Sequence, residues 1–271
     1  MLHEFRYSAP RERSELLGLL ADRGKAAMLL AGGTDVLVDV RSGAARPEVV
    51  VDVKRVRGYD QMSWSAAEGL VIRPATTIND VLEDPHARKD YPLLIACARD
   101  LASHQIRNRA TVIGNVVNAS PCADMAPALL CLGARAVVAS RRGERTIPMR
   151  EFFTGVKETV LASDEILERI LVPAESAGAR GSYRKLKRIN GHDLGIVGVA
   201  VMKKDGALRL GISSAAPTPV LVDGLQESDP ADAVVAAARK AIRPISDLRC
   251  TREYREHMVE VFVRRLLQEV K

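Results

Sequence analysis

The sequence predicts an α+β protein of two domains, and three observations carry that reading. The chain has 271 residues, enough for two domains or one large one with a sizeable core. Short β-branched runs, such as residues 48–53 (EVVVDV), are interleaved with stretches whose apolar residues recur at helical spacing. Residues 174–181 (AESAGARG) shift to small and polar side chains, the composition of a boundary. We place the first domain at residues 1–175 and the second at 176–271.

In order along the chain, residues 14–23 (SELLGLLADR) form a helix behind Ser14 as N-cap, with Gly24 as its stop. Residues 28–31 form an apolar strand that runs into Gly32, Gly33, Thr34 and Asp35, and a second apolar piece follows. Adjacent glycines after a strand admit close backbone approach to a ligand, and their N–H groups can form an anion-binding nest. Taken alone, this segment reads first as a tight turn between core elements. It is neither a P-loop nor a GxGxxG fingerprint. Residues 48–53 and 69–74 are strands. Residues 75–80 are a loop into a helix capped by Thr77 or Asn79, and residues 91–101 (YPLLIACARDL) are a buried helix.

Residues 103–132 (SHQIRNRATVIGNVVNASPCADMAPALLCL) are dense in backbone turns and short polar side chains suited to a phosphate-bearing ligand. They read badly as an amphipathic helix. Two β-branched pieces, 111–113 and 116–117, are split by Gly114 and Asn115, a turn signal. A Pro-containing loop follows, then a short buried helix from Ala126. We read this stretch as half of a flavin dinucleotide site. A strand at 134–139, a hairpin turn at 141–144, a short element at 151–155 (EFFTG) and a strand at 165–173 complete the first domain. The second domain has strands near 182–187, 196–203 and 208–213, then APTP at 216–219, then helices at 230–241 and 253–269.

Composition narrows the function classes. Apolar content of 47% with 27% charged residues is ordinary for a globular chain. No apolar run approaches the ~20 residues of a membrane helix, and the charged N-terminus has no secretory h-region. The net charge of +6 is dispersed among acidic residues, apart from RKLKR at 184–188. No aromatic platform accompanies that run, so it reads as a solvated basic face rather than a nucleic-acid groove. Cys97, Cys122, Cys131 and Cys250 show no CxxC pair and no metal-ligand spacing, which fits a reduced, cytoplasmic protein.

Six stretches in register now carry a resemblance: LLAGGTDVLV, IRNRATVIGNVVNASPCADMAPAL, EFFTG with DEILERILVP, KLKRINGHDLGIVGVAV, APTP and SDLRCTREYR. In this order the chain resembles the FAD-binding medium subunit of molybdenum hydroxylases of the xanthine dehydrogenase and carbon monoxide dehydrogenase type. The resemblance implies a vanillyl-alcohol-oxidase-type (PCMH) FAD-binding domain of two α+β subdomains. It also implies a small C-terminal domain with a three-stranded antiparallel sheet and helices. FAD is expected to be bound non-covalently, since the GGTD loop has no His to carry a covalent bond. Its diphosphate is expected against the loops 31–35 and 111–115.

Residue by residue, the resemblance implies that Leu29, Leu30 and Ala31 present backbone to the cofactor. Gly32, Gly33, Thr34, Asp35, Thr111, Ile113, Gly114 and Asn115 surround the diphosphate, and Val36 walls the site. Asp124 accepts from a cofactor hydroxyl; read without the resemblance, it caps the helix from Ala126. Leu101 lies against adenine, and Leu167 lies at the flavin or is a plain core residue. Lys185 places a cation beside the flavin, or is a solvated lysine. His192 and Asp193 lie on the loop that passes over the flavin ring. The second loop has one glycine where the family often has two. Cys122 reads as a small buried filler.

The implied function is an electron-transfer subunit. A molybdopterin-binding large subunit and a [2Fe-2S] small subunit are the implied partners, and NAD⁺ or another acceptor takes the electrons. The alternative is a stand-alone FAD-dependent oxidoreductase acting on a small molecule. A basic scaffold or nucleic-acid module is a third class, distinguished by salt-dependent DNA binding without flavin.

Overall fold

The structure is a computed structural model and describes residues 3–189 and 191–270. Strand β1 (Arg6–Ser8) leads into helix α1 (Arg13–Arg23). Leu16, Leu17 and Leu20 bury one face of α1, and Gly24, at φ +49°, ends it. The expected Ser14 cap is corrected: Ser14 lies inside the first turn, and Glu12 takes the N-cap position without a side-chain bond. Strand β2 (Ala27–Leu30), helix α2 (Val36–Ser42) and strand β3 (Val49–Asp52) follow. The three strands form a parallel sheet in the order β1-β3-β2, which leaves β2 at an edge.

Strands β4 (Ser63–Ser65) and β5 (Gly69–Ile72) precede a run of short helices: α3 (Ile78–Glu83), α4 (Pro85–Asp90), α5 (Pro92–Asp100), α6 (His104–Arg107), α7 (Val112–Val117) and α8 (Ala126–Cys131). Of the two expected caps, Thr77 caps α3 in a capping box with Asp80. Asn79 instead donates to Asn108 Oδ1 (2.5 Å) and the His104 carbonyl (3.2 Å). The largest correction concerns α7. The segment read as two β-branched pieces around a Gly-Asn turn is one helix, because Thr111 Oγ1 accepts the Gly114 N–H at 2.9 Å and so caps it.

Hairpin β6 (Arg135–Ser140) and β7 (Gly143–Pro148), the small pair β8 (Phe153–Gly155) and β9 (Glu158–Thr159), and β10 (Ile166–Val172) follow. The antiparallel order is β4-β5-β10-β6-β7.

The C-terminal sheet is a four-stranded antiparallel meander, not three-stranded: β11 (Arg180–Leu186), β12 (Val197–Lys204), β13 (Ala207–Ser213) and β14 (Val220–Gln226). The extra strand follows Pro219 at an edge, and its pairing to β13 shifts register between Leu208 and Leu210. Helices α9 (Ala231–Ala241) and α10 (Arg252–Glu269) close the chain. Alternation along β12 sends Val197, Val199 and Val201 into a core with these two helices. Ala200 and Met202 face the opposite way, into the main core with α5 and α8. The contact is close: a Cβ built on Gly211 would lie 2.2 Å from the Pro127 carbonyl oxygen. Among the described residues, no helix is long and apolar enough to cross a membrane.

Candidate functional site

The two glycine loops are distant in sequence and meet in space. A Cβ built on Gly32 would lie 2.1 Å from the Arg109 carbonyl oxygen, so only glycine lets 31–35 press against the backbone that leads into Thr111. Asn118 Nδ2 donates to Asp35 Oδ1 at 3.1 Å, and Lys157 Nζ donates to Asn118 Oδ1 at 2.7 Å, tying the loops at their outer side. Gly33 adopts φ +76°. Among the described residues, the backbone N–H groups of Gly32, Gly33, Thr34 and Asp35 have no protein acceptor. Lys54 was not singled out in the sequence. Its Nζ donates to the Ala31 carbonyl (2.9 Å) and Asp52 Oδ1 (2.6 Å), which braces the loop and adds a cation beside it.

Thr111 is 3% exposed, and its hydroxyl oxygen is occupied as the α7 cap, which leaves the hydroxyl proton to donate elsewhere. Asn115 Oδ1 accepts the Met125 N–H at 3.1 Å, joining this loop to residues 120–125. That bond also corrects the helix-cap reading of Asp124, since α8 carries no side-chain cap. The Asp124 carboxylate instead pairs with Lys185 Nζ at 2.8 Å, with the two side chains 13% and 2% exposed. Burial pushes the Asp124 carboxyl up, and Lys185 opposes it.

Lys185 is therefore not solvated, while Arg184 and Arg188 at the ends of its run stay exposed, at 42% and 56% of their side chains. Arg184 pairs with Glu269, Lys187 with Asp100 at 2.6 Å, and Arg188 with Asp193 at 3.0 Å. Lys185 Nζ also lies 3.4 Å from the Asp100 carbonyl, which brings Leu101 into the same neighbourhood. Leu101 itself is 5% exposed in the main core, and Leu167 is 1% exposed there, paired with Val138 in the β10–β6 ladder.

Asp193 braces its own loop, accepting from the Arg188 guanidinium and backbone N–H; Arg188 holds its carboxyl well below the usual range. His192 is exposed. Cys122 is more than a filler: its thiol donates to the Gly195 carbonyl (3.5 Å) and its sulfur accepts from Arg249 (3.3 Å). Among the described residues, no cluster of His, Cys, Asp or Glu could hold a metal ion.

These features fit a diphosphate-bearing flavin. An apolar edge strand, half-buried along its length, leads into four backbone donors that have no acceptor among the described residues. A lysine braces that loop, and a buried ammonium–carboxylate pair joins Lys185 to Asp124.

The comparisons agree. Residues 3–175 match the FAD binding domain in molybdopterin dehydrogenase, and residues 181–270 match the CO dehydrogenase flavoprotein C-terminal domain. The chain belongs to the FAD-binding flavoprotein subunits of the molybdenum hydroxylase family, and it is an oxidoreductase subunit. It is 34% identical to the carbon monoxide dehydrogenase medium chain of Hydrogenophaga pseudoflava, over 97% of this chain and 96% of that one. It is 30% identical to the xanthine dehydrogenase FAD-binding subunit of Escherichia coli O157:H7, over 94% and 92%. In solved structures, it superposes on a chain of carbon monoxide dehydrogenase from Hydrogenophaga pseudoflava with TM-score 0.91 at 30% identity, covering 100% of this chain and 98% of that chain.

Proposed function

We propose that this chain binds FAD non-covalently and relays electrons between a [2Fe-2S] small subunit and NAD⁺ or another acceptor, in a cytoplasmic complex with a molybdopterin-binding large subunit. The observation that carries the reading is the seating of Gly32 on the Arg109 backbone, which joins the two glycine loops into one cradle. The names of the relatives, a medium chain and an FAD-binding subunit, support the assembly.

Bound flavin accepts electrons singly and releases them as a pair, which suits a relay between one-electron clusters and a hydride acceptor. The chain's own residues bind and orient. The N–H groups of Gly32, Gly33, Thr34 and Asp35 would hold the diphosphate, with the Thr34 and Thr111 hydroxyls adding donors. Lys54 would offset phosphate charge. Lys185, held in place by its 2.8 Å ion pair with Asp124, would supply a fixed positive charge in a region of low dielectric.

The test is FAD reconstitution of the purified chain, read by its visible spectrum, with Asp124→Ala and Lys185→Ala alongside. We expect a bound flavin in the wild type and weaker retention in both variants. Absence of bound flavin, or variants that match the wild type, would sink this reading. Bleaching of the flavin by a small molecule without partner subunits would support the stand-alone enzyme instead.

A further inference from the structure

Arg249 lies in the segment SDLRC, between α9 and α10. Its Nη1 donates to the Gly195 carbonyl and to Cys122 Sγ, each at 3.3 Å. Its Nε and Nη2 donate to Asp247 Oδ2 at 3.0 and 2.7 Å. Arg255, 1% exposed, reaches Asp247 Oδ1 at 2.8 Å. Arg255 Nη1 donates to the carbonyls of Ile196 (2.5 Å) and Ser214 (2.9 Å). The Ser214 N–H in turn donates to the Pro121 carbonyl at 2.7 Å. One carboxylate with two guanidiniums thus ties residues 121–122 to residues 195–196.

Those two segments enclose the Lys185–Asp124 pair. Asp124 follows Cys122 in one loop. Gly195 lies so near Lys185 that a Cβ on it would sit 3.3 Å from Lys185 Cε. Apolar packing does little to fasten this part of the tail, since Ile245 is 65% exposed and Leu248 fully so. Charge-assisted bonds do the fastening, and they are about twice as strong as neutral ones.

We propose that Arg249, oriented by Asp247, is a positioning residue that clamps the Cys122 and Gly195 segments around the Lys185–Asp124 pair and so fixes the lysine charge beside the flavin. The clamp is a feature of the protein alone; its effect on the flavin rests on the function proposed above. A planar fork is required, because three of its nitrogens are engaged at once and a lysine ammonium cannot span them.

The experiment compares the full-length wild type with Arg249→Lys, Arg249→Met and Asp247→Asn. Amide hydrogen exchange is measured without FAD, and the flavin spectrum and midpoint potential are measured with it. All three variants should exchange about tenfold faster at residues 122–124 and 194–196 while α9 and the β1-β3-β2 sheet stay unchanged. The flavin midpoint should shift in the same direction in all three, with the Arg249→Met/Asp247→Asn double variant no worse than either single. Arg249→Lys keeps the charge and is the decisive variant if Arg249→Met fails to fold. Wild-type exchange in Arg249→Lys, or acceleration spread evenly over α10, would overturn the clamp. A wild-type chain that takes up no FAD would overturn the flavin reading and leave the exchange result to decide the clamp.

Discussion

Lys185 and Asp124 show how far a side chain's role depends on what lies across from it. In sequence, Lys185 sits in RKLKR, whose density suggests a solvated face. In the fold, four of the five residues find carboxylates on separate elements: Glu269, Asp124, Asp100 and Asp193. No local pattern encodes those partners, which come from α10, α5 and two loops. The buried pair makes a sharp prediction. Asp124→Ala leaves an uncompensated buried ammonium and should cost about 3–5 kcal/mol, read by urea unfolding. Lys185→Met with Asp124→Leu should recover much of it while still failing to retain FAD.

Lys54 makes a second prediction, in pH. Burial acts to raise the Asp52 carboxyl, but the bonds from Lys54 and Tyr7 outweigh it and hold it below the usual range. A lowered folded pKa gives stability that is complete above the ordinary carboxylate value of about 3.9 and is lost as pH falls through the lowered one. Lys54→Met should therefore be about 1 kcal/mol less stable than wild type at pH 7, with the gap closing below about pH 4 in urea titrations. The same variant should hold FAD less tightly, because the Ala31 carbonyl loses its brace.

Among the elements, those set by long apolar patterns were legible and those set by caps or remote backbone were not. The helix at 91–101 and the hairpin around Gly143 stand close to where their residues imply. Helix α7 was hidden because Val112, Ile113, Val116 and Val117 favour strands and Gly114 favours a turn. The Thr111 cap, packed beside Thr77 in an isolated bridge, overrides those preferences. Strand β14 was hidden by Asp223 and Gly224 and by its irregular pairing. The 31–35 loop was legible as a loop, whereas 111–115 is the cap and first turn of α7; that the two segments meet was expected only through the family resemblance, since the fit itself is a backbone-to-backbone contact at Arg109. Gly32→Ala tests that fit: with backbone 2.1 Å from the new methyl, the loops must part. We expect loss of FAD retention and a cost of about 1–3 kcal/mol, checked by flavin stoichiometry and thermal unfolding.

The molecule as a whole unites what composition divides. The shift at 174–181 separates two stretches of chain, yet Ala179, Ala200 and Met202 lie in the same core as Leu93, Cys97 and Leu129. Residues of both stretches also build the site, with Asp124 on one side and Lys185 on the other. One cooperative unfolding transition should follow, seen at the same midpoint by circular dichroism and by Trp64 fluorescence. Gly211→Ala, which drives a methyl against Pro127, should destabilise by about 1–3 kcal/mol without splitting that transition.

The seat of β11–β14 on α5 and α8 also has a consequence for how the protein matures. The two glycine loops lie early in the chain and can meet while synthesis continues. The greasy faces of α5 and α8 stay open to water until the meander arrives. A fragment that stops before the meander would keep those faces exposed and would lack Lys185.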